Sequence, residues 1–382
     1  MVAPAPLPAD RLVADPGFVG SIRDDELVLF LANVGDGDAQ LVLLPADPAA
    51  HVRRAVVVDA GALGKLPSLI EDLVAAGLLP SQDGAIAPGA IALVVATHPH
   101  DDHIAGMAEL LGSYGKEVVE FWDPGYFHTT AAYHRMMGEV ERLPYLLYAQ
   151  PTSGFRRWIN NVEVTVLSPA ISLRNRFDTY GIELNDSSIS LRLEFPASRV
   201  LQLDNRRNYL GDRNPQALIL GADAQTLSWS YVVSDFPALA PSSSDAAKAL
   251  QAAMGADPLT AQVLKVSHHA SKHGVNLELI ERINPKYTLV SSVGMESRYG
   301  FPHTVTQELI REALDPTVTS GRTHKKDWEL GIFYTADLDE SNVALGSMAL
   351  VMGGGKVALW RFGDREGDRV DLSRGRRWLA KP

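Results

Sequence analysis

Short continuous apolar runs alternate along the chain with segments whose apolar residues recur every three or four positions. The runs predict strands, and the continuous apolar character of Ala90–His98 predicts a buried one. In the first half the runs are Glu26–Val34 (ELVLFLANV), QLVLLP after the turn-rich GDGDA, Ala55–Gly61 (AVVVDAG), Ala90–His98 (AIALVVATH) and EVVEFWDPG. Between them, Ser68–Leu79 and Gly106–Gly115 have helical spacing, the second with a glycine exit. Strands alternating with helices predict an α/β architecture whose helices cover the sheet faces.

The pattern continues beyond residue 120. Tyr126 to Arg157 reads as helical, and Val162–Pro169 as a strand. Ser187–Phe195 and Ala217–Asp223 read as paired strands joined by a long polar link. Ser242–Asp257 reads as a capped helix, and Gln262–Gly274 as a strand running into histidines. ELIERI and VTQELIREAL are helical, with the strand YTLVSSVG between them. After Trp328 come three strand-like runs, ELGIFYT, SMALVMG and KVALWRF. There is no repeat and no low-complexity tract.

Composition narrows the chemistry. The 382 residues suffice for a sizeable core, and the net charge is −11. A polynucleotide would therefore need a local basic patch or metal ions. No cysteine is present, which excludes disulfides and thiolate metal sites. Any metal must be held by histidine and carboxylate. The N-terminus does not read as a signal peptide but as a loose Pro/Ala-rich lead-in, residues 1–21, and no stretch is long enough to span a membrane. The expectation is a cytoplasmic protein without a membrane partner.

The candidate chemistry is concentrated. Residues 98–103 hold three histidines and two aspartates: His98, His100, Asp101, Asp102 and His103, in the pattern H-x-H-x-D-H after an apolar strand. A strand end opening into a turn can aim alternate side chains at one point. Of eleven histidines, six lie in two windows, the other being His268, His269 and His273, again after an apolar run. Asp223 ends the apolar run ALILGAD. Three strand ends delivering such residues to one sheet edge is where α/β folds place ligand sites.

These residues resemble the metallo-β-lactamase fold, an αββα sandwich whose signature is H-x-H-x-D-H. More closely, the blocks LFLANVGDGDAQLVLLP, VVVDAG, THPHDDHIAGM, LNDSSISLRLEF, LILGADAQ, LKVSHHASKHG and SRYGFPH are similar, in order, to the hydrolase domain of the competence protein ComEC. The resemblance implies one hydrolase domain over residues 22–334, with the strands and basic tail of 335–382 packed on it. It implies that His98 and His100 bind one metal ion, that Asp102 and His103 bind a second, that Asp223 bridges them, and that His268 or His269 completes the second site. The ions implied are two zinc ions, with manganese or iron as alternatives. Many relatives supply a further histidine to the first ion just before the strand pair; here that region reads LNDSS, leaving Asn185 or Ser187 to bind weakly or orient substrate. Asn33 stands where relatives carry an acid, Ala270 where glycine is typical, and Phe301 where histidine is common.

Two cations about 3.5–4 Å apart lower the pKa of a shared water and stabilise charge at an attacked centre. The expected activity is metal-dependent hydrolysis of phosphodiesters, as a nuclease or phosphodiesterase. The alternatives are hydrolysis of a small phosphoester or carboxylic ester, and a non-catalytic binding protein on a hydrolase fold. Asp102, Asp223 and Tyr299 are the expected catalytic residues. Ser271, Lys272, His273, Arg298 and His303, with Asn185 and Ser187, are expected to meet an anionic substrate. Arg206, Arg207 and Arg213 in the polar link and Arg374, Arg376 and Arg377 in the tail are candidate phosphate contacts.

Overall fold

The computed structural model describes residues 4–174, 184–196, 215–238, 244, 257–315 and 325–380. Arg206, Arg207, Arg213, the tip of the polar link and most of the expected helix 242–257 lie outside them.

In chain order the first strands are β1 (Leu12–Ala14), β2 (Leu27–Leu31), β3 (Ala39–Leu43), β4 (Ala55–Ala60), the small hairpin β5 (Ser81–Gln82) and β6 (Ala85–Ile86), β7 (Ile91–Val95), β8 (Val118–Trp122) and β9 (Leu147–Ala149). They are followed by β10 (Arg156–Ile159), β11 (Val162–Ser168), β12 (Ser190–Phe195), β13 (Gln216–Leu220), β14 (Val263–Lys265), β15 (Tyr287–Val290) and β16 (Ile332–Tyr334). The last are β17 (Met348–Gly353), β18 (Lys356–Arg361) and β19 (Arg376–Trp378). One ten-stranded sheet runs β1-β19-β18-β17-β2-β3-β4-β7-β8-β9, and a seven-stranded sheet runs β10 to β16 in order.

The fully apolar runs have two buried faces because each sheet is covered on both sides. In β2, Leu27, Leu29 and Leu31 point into a core between the sheets, where they meet Val164, Leu191, Leu193 and Leu218 of the second sheet. Val28 and Phe30 point the other way, toward helices. Those helices are α1 (Phe18–Ser21), α2 (Lys65–Ala75), α3 (Asp101–Ile104), α4 (Met107–Tyr114) and α5 (Ala131–Glu141). In α2, Leu66, Leu69, Ile70 and Leu73 form one stripe against that face, and the helix gives way just before Gly77, which takes φ +71°. The outer face of the second sheet carries α7 (Thr226–Asp235), α8 (Leu277–Ile283) and α9 (Thr304–Leu314), reached after the short α6 (Ile171–Arg174). The layers are therefore helix, sheet, sheet, helix: the αββα sandwich of the α/β class.

Several local expectations change. The helical stretch 126–157 reduces to α5, capped by Thr130 Oγ1, which accepts from Tyr133 N. Pro144, Pro151 and Gly154 break the rest, and β9 and β10 form there. The lead-in is not loose throughout: Leu12–Ala14 pairs antiparallel with Arg376–Trp378, and Leu7 is buried between the sheets. The tail strands β17 and β18 lie inside the first sheet, with β17 hydrogen-bonded to β2. The tail arginines are engaged at home: Arg376 pairs with Asp339 at 3.0 Å, Arg374 with Asp371 at 3.1 Å, and Arg377 lies over the Trp360 ring. Among the described residues no helix is long and apolar enough to cross a membrane.

Candidate metal centre

Strands β4 and β7 run parallel in the first sheet, and β13, β14 and β15 run parallel in the second. Their C-terminal ends meet at one end of the sandwich. The sequence pattern suggested one sheet edge, but the structure uses two. His98 to His103 follow β7, whereas Asp223 follows β13 and His268 and His269 follow β14.

Asp223 is the hub. Its Oδ1 lies 3.3 Å from His103 Nε2 and 3.6 Å from His269 Nε2. Asp102 Oδ2 closes that group, 3.9 Å from His103 Nε2 and 3.8 Å from His269 Nε2. The other oxygen, Oδ2, lies 3.8 Å from both His98 Nε2 and His268 Nε2. His100 Nδ1 is 3.0 Å from His98 Nε2. Two groups of donors thus share one carboxylate.

The residues fit a divalent cation. His103 Nε2, His269 Nε2 and Asp223 Oδ1 are buried and lack a hydrogen-bond partner. A buried polar atom left unpaired costs about 1–3 kcal/mol, so three facing one another imply something that satisfies them together. Ligand bonds of about 2.0–2.2 Å in tetrahedral geometry separate donors by roughly 3.3–3.6 Å, close to the spacing around Asp223 Oδ1.

Groups behind the donors settle which nitrogen faces inward. His103 Nδ1 donates to Asp59 Oδ2 at 2.7 Å, and His269 Nδ1 lies 3.1 Å from the Ser291 carbonyl. Each contact leaves Nε2 toward the centre. Asp59 is itself held by the Thr97 backbone N–H and hydroxyl. Ser291 donates to Asp38, whose other oxygen is ion-paired with the fully buried Lys265. Asp59, Thr97, Asp38, Lys265 and Ser291 escaped the sequence reading. Only the strand-end Asp59 and the turn GDGDA hinted at them.

Without a cation, the buried charges set the protonation of these groups among themselves. Burial, reinforced by His103, holds the His98 imidazole well below its usual range, so it stays neutral. Burial acts the same way on His103, but Asp223, Asp59 and Asp102 together outweigh it and raise that imidazole well above its usual value. Burial would raise Asp223, yet His103 and His269 hold its carboxyl far below the usual range.

Backbone strain gathers here too. Asp59, Ala222, His268, His269 and Ala270 all have φ between +46° and +59°. Left-handed conformations of residues with a Cβ persist where the surroundings over-determine them. Two glycines give the loop 98–103 its close seat. A Cβ on Gly61 would stand 2.0 Å from the Asp102 carbonyl oxygen, and one on Gly37 would stand 2.5 Å from it.

A cleft of about 950 Å³ opens above the centre. His100, Asp102, Asp223, His268 and Asn185 line it from below, and Asp36, Asp101, Glu296, Glu366, His128 and Arg298 stand around it. Tyr299 is 59% exposed and stacks on Phe301 at 5.6 Å, with Arg298 over its ring. Of the expected substrate-facing residues, Asn185 and Arg298 therefore line the cleft, as does Tyr299, expected to be catalytic. Ser187, Ser271, Lys272, His273 and His303 do not. Ser187 Oγ turns back to the Leu184 carbonyl, and Ser271 is buried with its carbonyl accepting from Thr306. His303 Nδ1 accepts from the Lys272 N–H, and the His273 carbonyl accepts from Thr226.

Residues 50–201 match the model of the metallo-beta-lactamase superfamily. No curated protein matches the chain. Among solved structures, the chain is similar to the metallo-beta-lactamase fold protein YhfI from Bacillus subtilis, at 12% identity over 81% of this chain and 96% of that one, with a TM-score of 0.37. It is similar to CmlA, a diiron beta-hydroxylase from Streptomyces venezuelae, at 15% identity over 78% of this chain and 53% of that one, with a TM-score of 0.33. A long form RNase Z from yeast is matched at 11% identity over 70% of this chain and 38% of that one, with a TM-score of 0.35.

Proposed function

We propose that the protein is a metal-dependent hydrolase of phosphodiesters. His98 and His100 would hold one divalent ion, Asp102, His103 and His269 would hold a second, and Asp223, whose two oxygens face the two groups, would serve both. One observation carries this reading: His103 Nε2, His269 Nε2 and Asp223 Oδ1 face one another, buried and unpartnered. The superfamily match over residues 50–201 supports hydrolysis. The ComEC-like order of sequence blocks supports a phosphodiester as the bond broken. A donor set of imidazole and carboxylate suits zinc, and also manganese or iron.

When bound, such ions supply an activated water and neutralise charge on the attacked group. The chain's own residues do the rest. Asp59 and Ser291 keep His103 and His269 in the tautomers that present Nε2. Asp102, 42% exposed at its side chain, reaches both the donor group and the cleft, where it can orient the attacking water and accept its proton. Tyr299 and Arg298 stand at the mouth, where an anionic substrate enters.

Substrate size has its own support. Asp36, Asp101, Glu296 and Glu366 ring the cleft against the single arginine Arg298 among its lining residues. A polyanion passing this rim meets like charge on several sides, whereas a small diester places one charge over the ions. This favours a small phosphodiester over a polynucleotide.

The test is metal analysis with turnover. Wild-type protein is expected to hold divalent metal and to cleave bis(p-nitrophenyl) phosphate faster than p-nitrophenyl acetate or a phosphomonoester, and faster per bond than single-stranded DNA, duplex DNA or RNA. Asp223→Ala should lose both metal and activity. Metal-free protein with full turnover, or an Asp223→Ala variant with wild-type metal and rate, overturns the proposal. Preference for the acetate ester moves the substrate to carboxylic esters.

A further inference from the structure

Beside Asp223, the first ion of the proposed pair has two imidazoles, His98 and His100, and the segment Leu184–Ser187 brings Asn185 to the same place rather than a histidine. The Oδ2 side of Asp223 is nevertheless not short of imidazole. His268 Nε2 lies 3.8 Å from that oxygen, the same distance as His98 Nε2. Its neighbour His269 reaches the opposite oxygen, Oδ1, at 3.6 Å.

Two adjacent residues can serve opposite sides of one carboxylate only through an unusual backbone. His268 has φ 50°, ψ 45° and His269 has φ 51°, ψ 31°, both left-handed. A Cβ makes this conformation strained, so the surroundings must hold it. The turn sets the two rings at 76° to each other with centroids 6.4 Å apart. Asn185 Nδ2 lies 3.3 Å from His268 Nε2 and donates to it, so Nε2 is the bare nitrogen. The Asn185 amide occupies the lone pair that a cation would take.

We infer that His268 is the third imidazole of the first ion, and that the pair His268–His269 is divided between two ions. This rests on the two-ion reading above. The ligand class is a borderline divalent cation such as Zn²⁺ or Mn²⁺, in a group of His98, His100, His268 and one oxygen of Asp223.

The full-length chain, stripped with a chelator and titrated with Mn²⁺, reports the assignment independently of activity. Wild type should take up two ions and give the spin-coupled paramagnetic resonance spectrum of a bridged pair. His268→Ala should take up one ion, with an uncoupled spectrum and at least tenfold weaker binding of the other. His98→Ala combined with His268→Ala should lose no more than either alone, because both belong to one site. His268→Ala combined with His269→Ala should weaken both. Circular dichroism checks folding, and His268→Gln replaces any alanine variant that fails it. A His268→Ala protein holding two coupled ions overturns the inference and leaves the two-ion hydrolase reading standing, whereas a wild type that holds a single ion overturns the two-ion assignment together with the inference. Wild type that binds no ion overturns the hydrolase reading as well.

Discussion

Asp59 Oδ2 lies 2.7 Å from His103 Nδ1, and this contact decides which nitrogen of His103 faces the centre. Both groups are fully buried, so no water competes for the bond. Asp59→Asn keeps the volume but can offer an amide N–H in place of the acceptor. Outer partners of this kind are worth about 10–100-fold in metal affinity. The variant should remain folded while its affinity for Zn²⁺ or Mn²⁺ falls by that amount, read by competition with a chromophoric chelator. Unchanged affinity would show that packing alone orients His103.

Gly61 meets the loop that carries the first donors. Its Cβ position lies 2.0 Å from the Asp102 carbonyl oxygen, a backbone atom with no freedom to turn aside. Gly61→Ala should therefore displace residues 98–103, lower stability by about 1–3 kcal/mol and reduce metal content. Urea unfolding of metal-free protein reads the first effect and elemental analysis the second. A variant as stable and as metal-rich as wild type would mean that the two segments can part without consequence.

Glu296 and Glu366 are exposed at the cleft and oppose a polyanion without belonging to the donor groups. Changing both to Gln should tighten single-stranded DNA binding severalfold at low salt, while the KM for bis(p-nitrophenyl) phosphate moves little. Fluorescence anisotropy across a salt series makes the comparison, since repulsion by exposed charge fades with ionic strength. Equal DNA affinity in both proteins would show that the rim does not steer substrate.

Asp337 is buried beside Arg361, their nearest atoms 3.0 Å apart. Burial pushes its carboxyl up to about 6 from an ordinary 3.8, Arg361 pulling the other way. The native state then binds this proton more tightly than the unfolded chain does. Its contribution to stability is full below about pH 4 and is lost as pH rises through about 6. Asp337→Asn should remove that decline, so the wild-type minus variant difference in unfolding free energy should fall between pH 4 and 6 and level off above. A difference that rises over this window would reverse the assignment.

Much of this protein is legible in the chain itself. Continuous apolar runs mark strands, and the stripe Leu66, Leu69, Ile70 and Leu73 marks a helix lying on a sheet, because burial imposes those periods wherever the element sits. The histidine windows and the strand-end Asp223 announce metal chemistry because cysteine-free chains have few other strong donors. Tertiary structure alone decided that the two windows arrive from different sheets, since parallel strands can meet at one end without sharing an edge. It alone separated His268 from His269: the left-handed backbone turns the two rings apart, His268 meeting Asn185 and His269 meeting Ser291, both distant in sequence. Asp38, Asp59 and Ser291 acquire their roles through contacts across the fold, which no local pattern encodes. The same holds for Leu12–Ala14, three residues without periodicity that become a strand because Arg376–Trp378 offers them an edge.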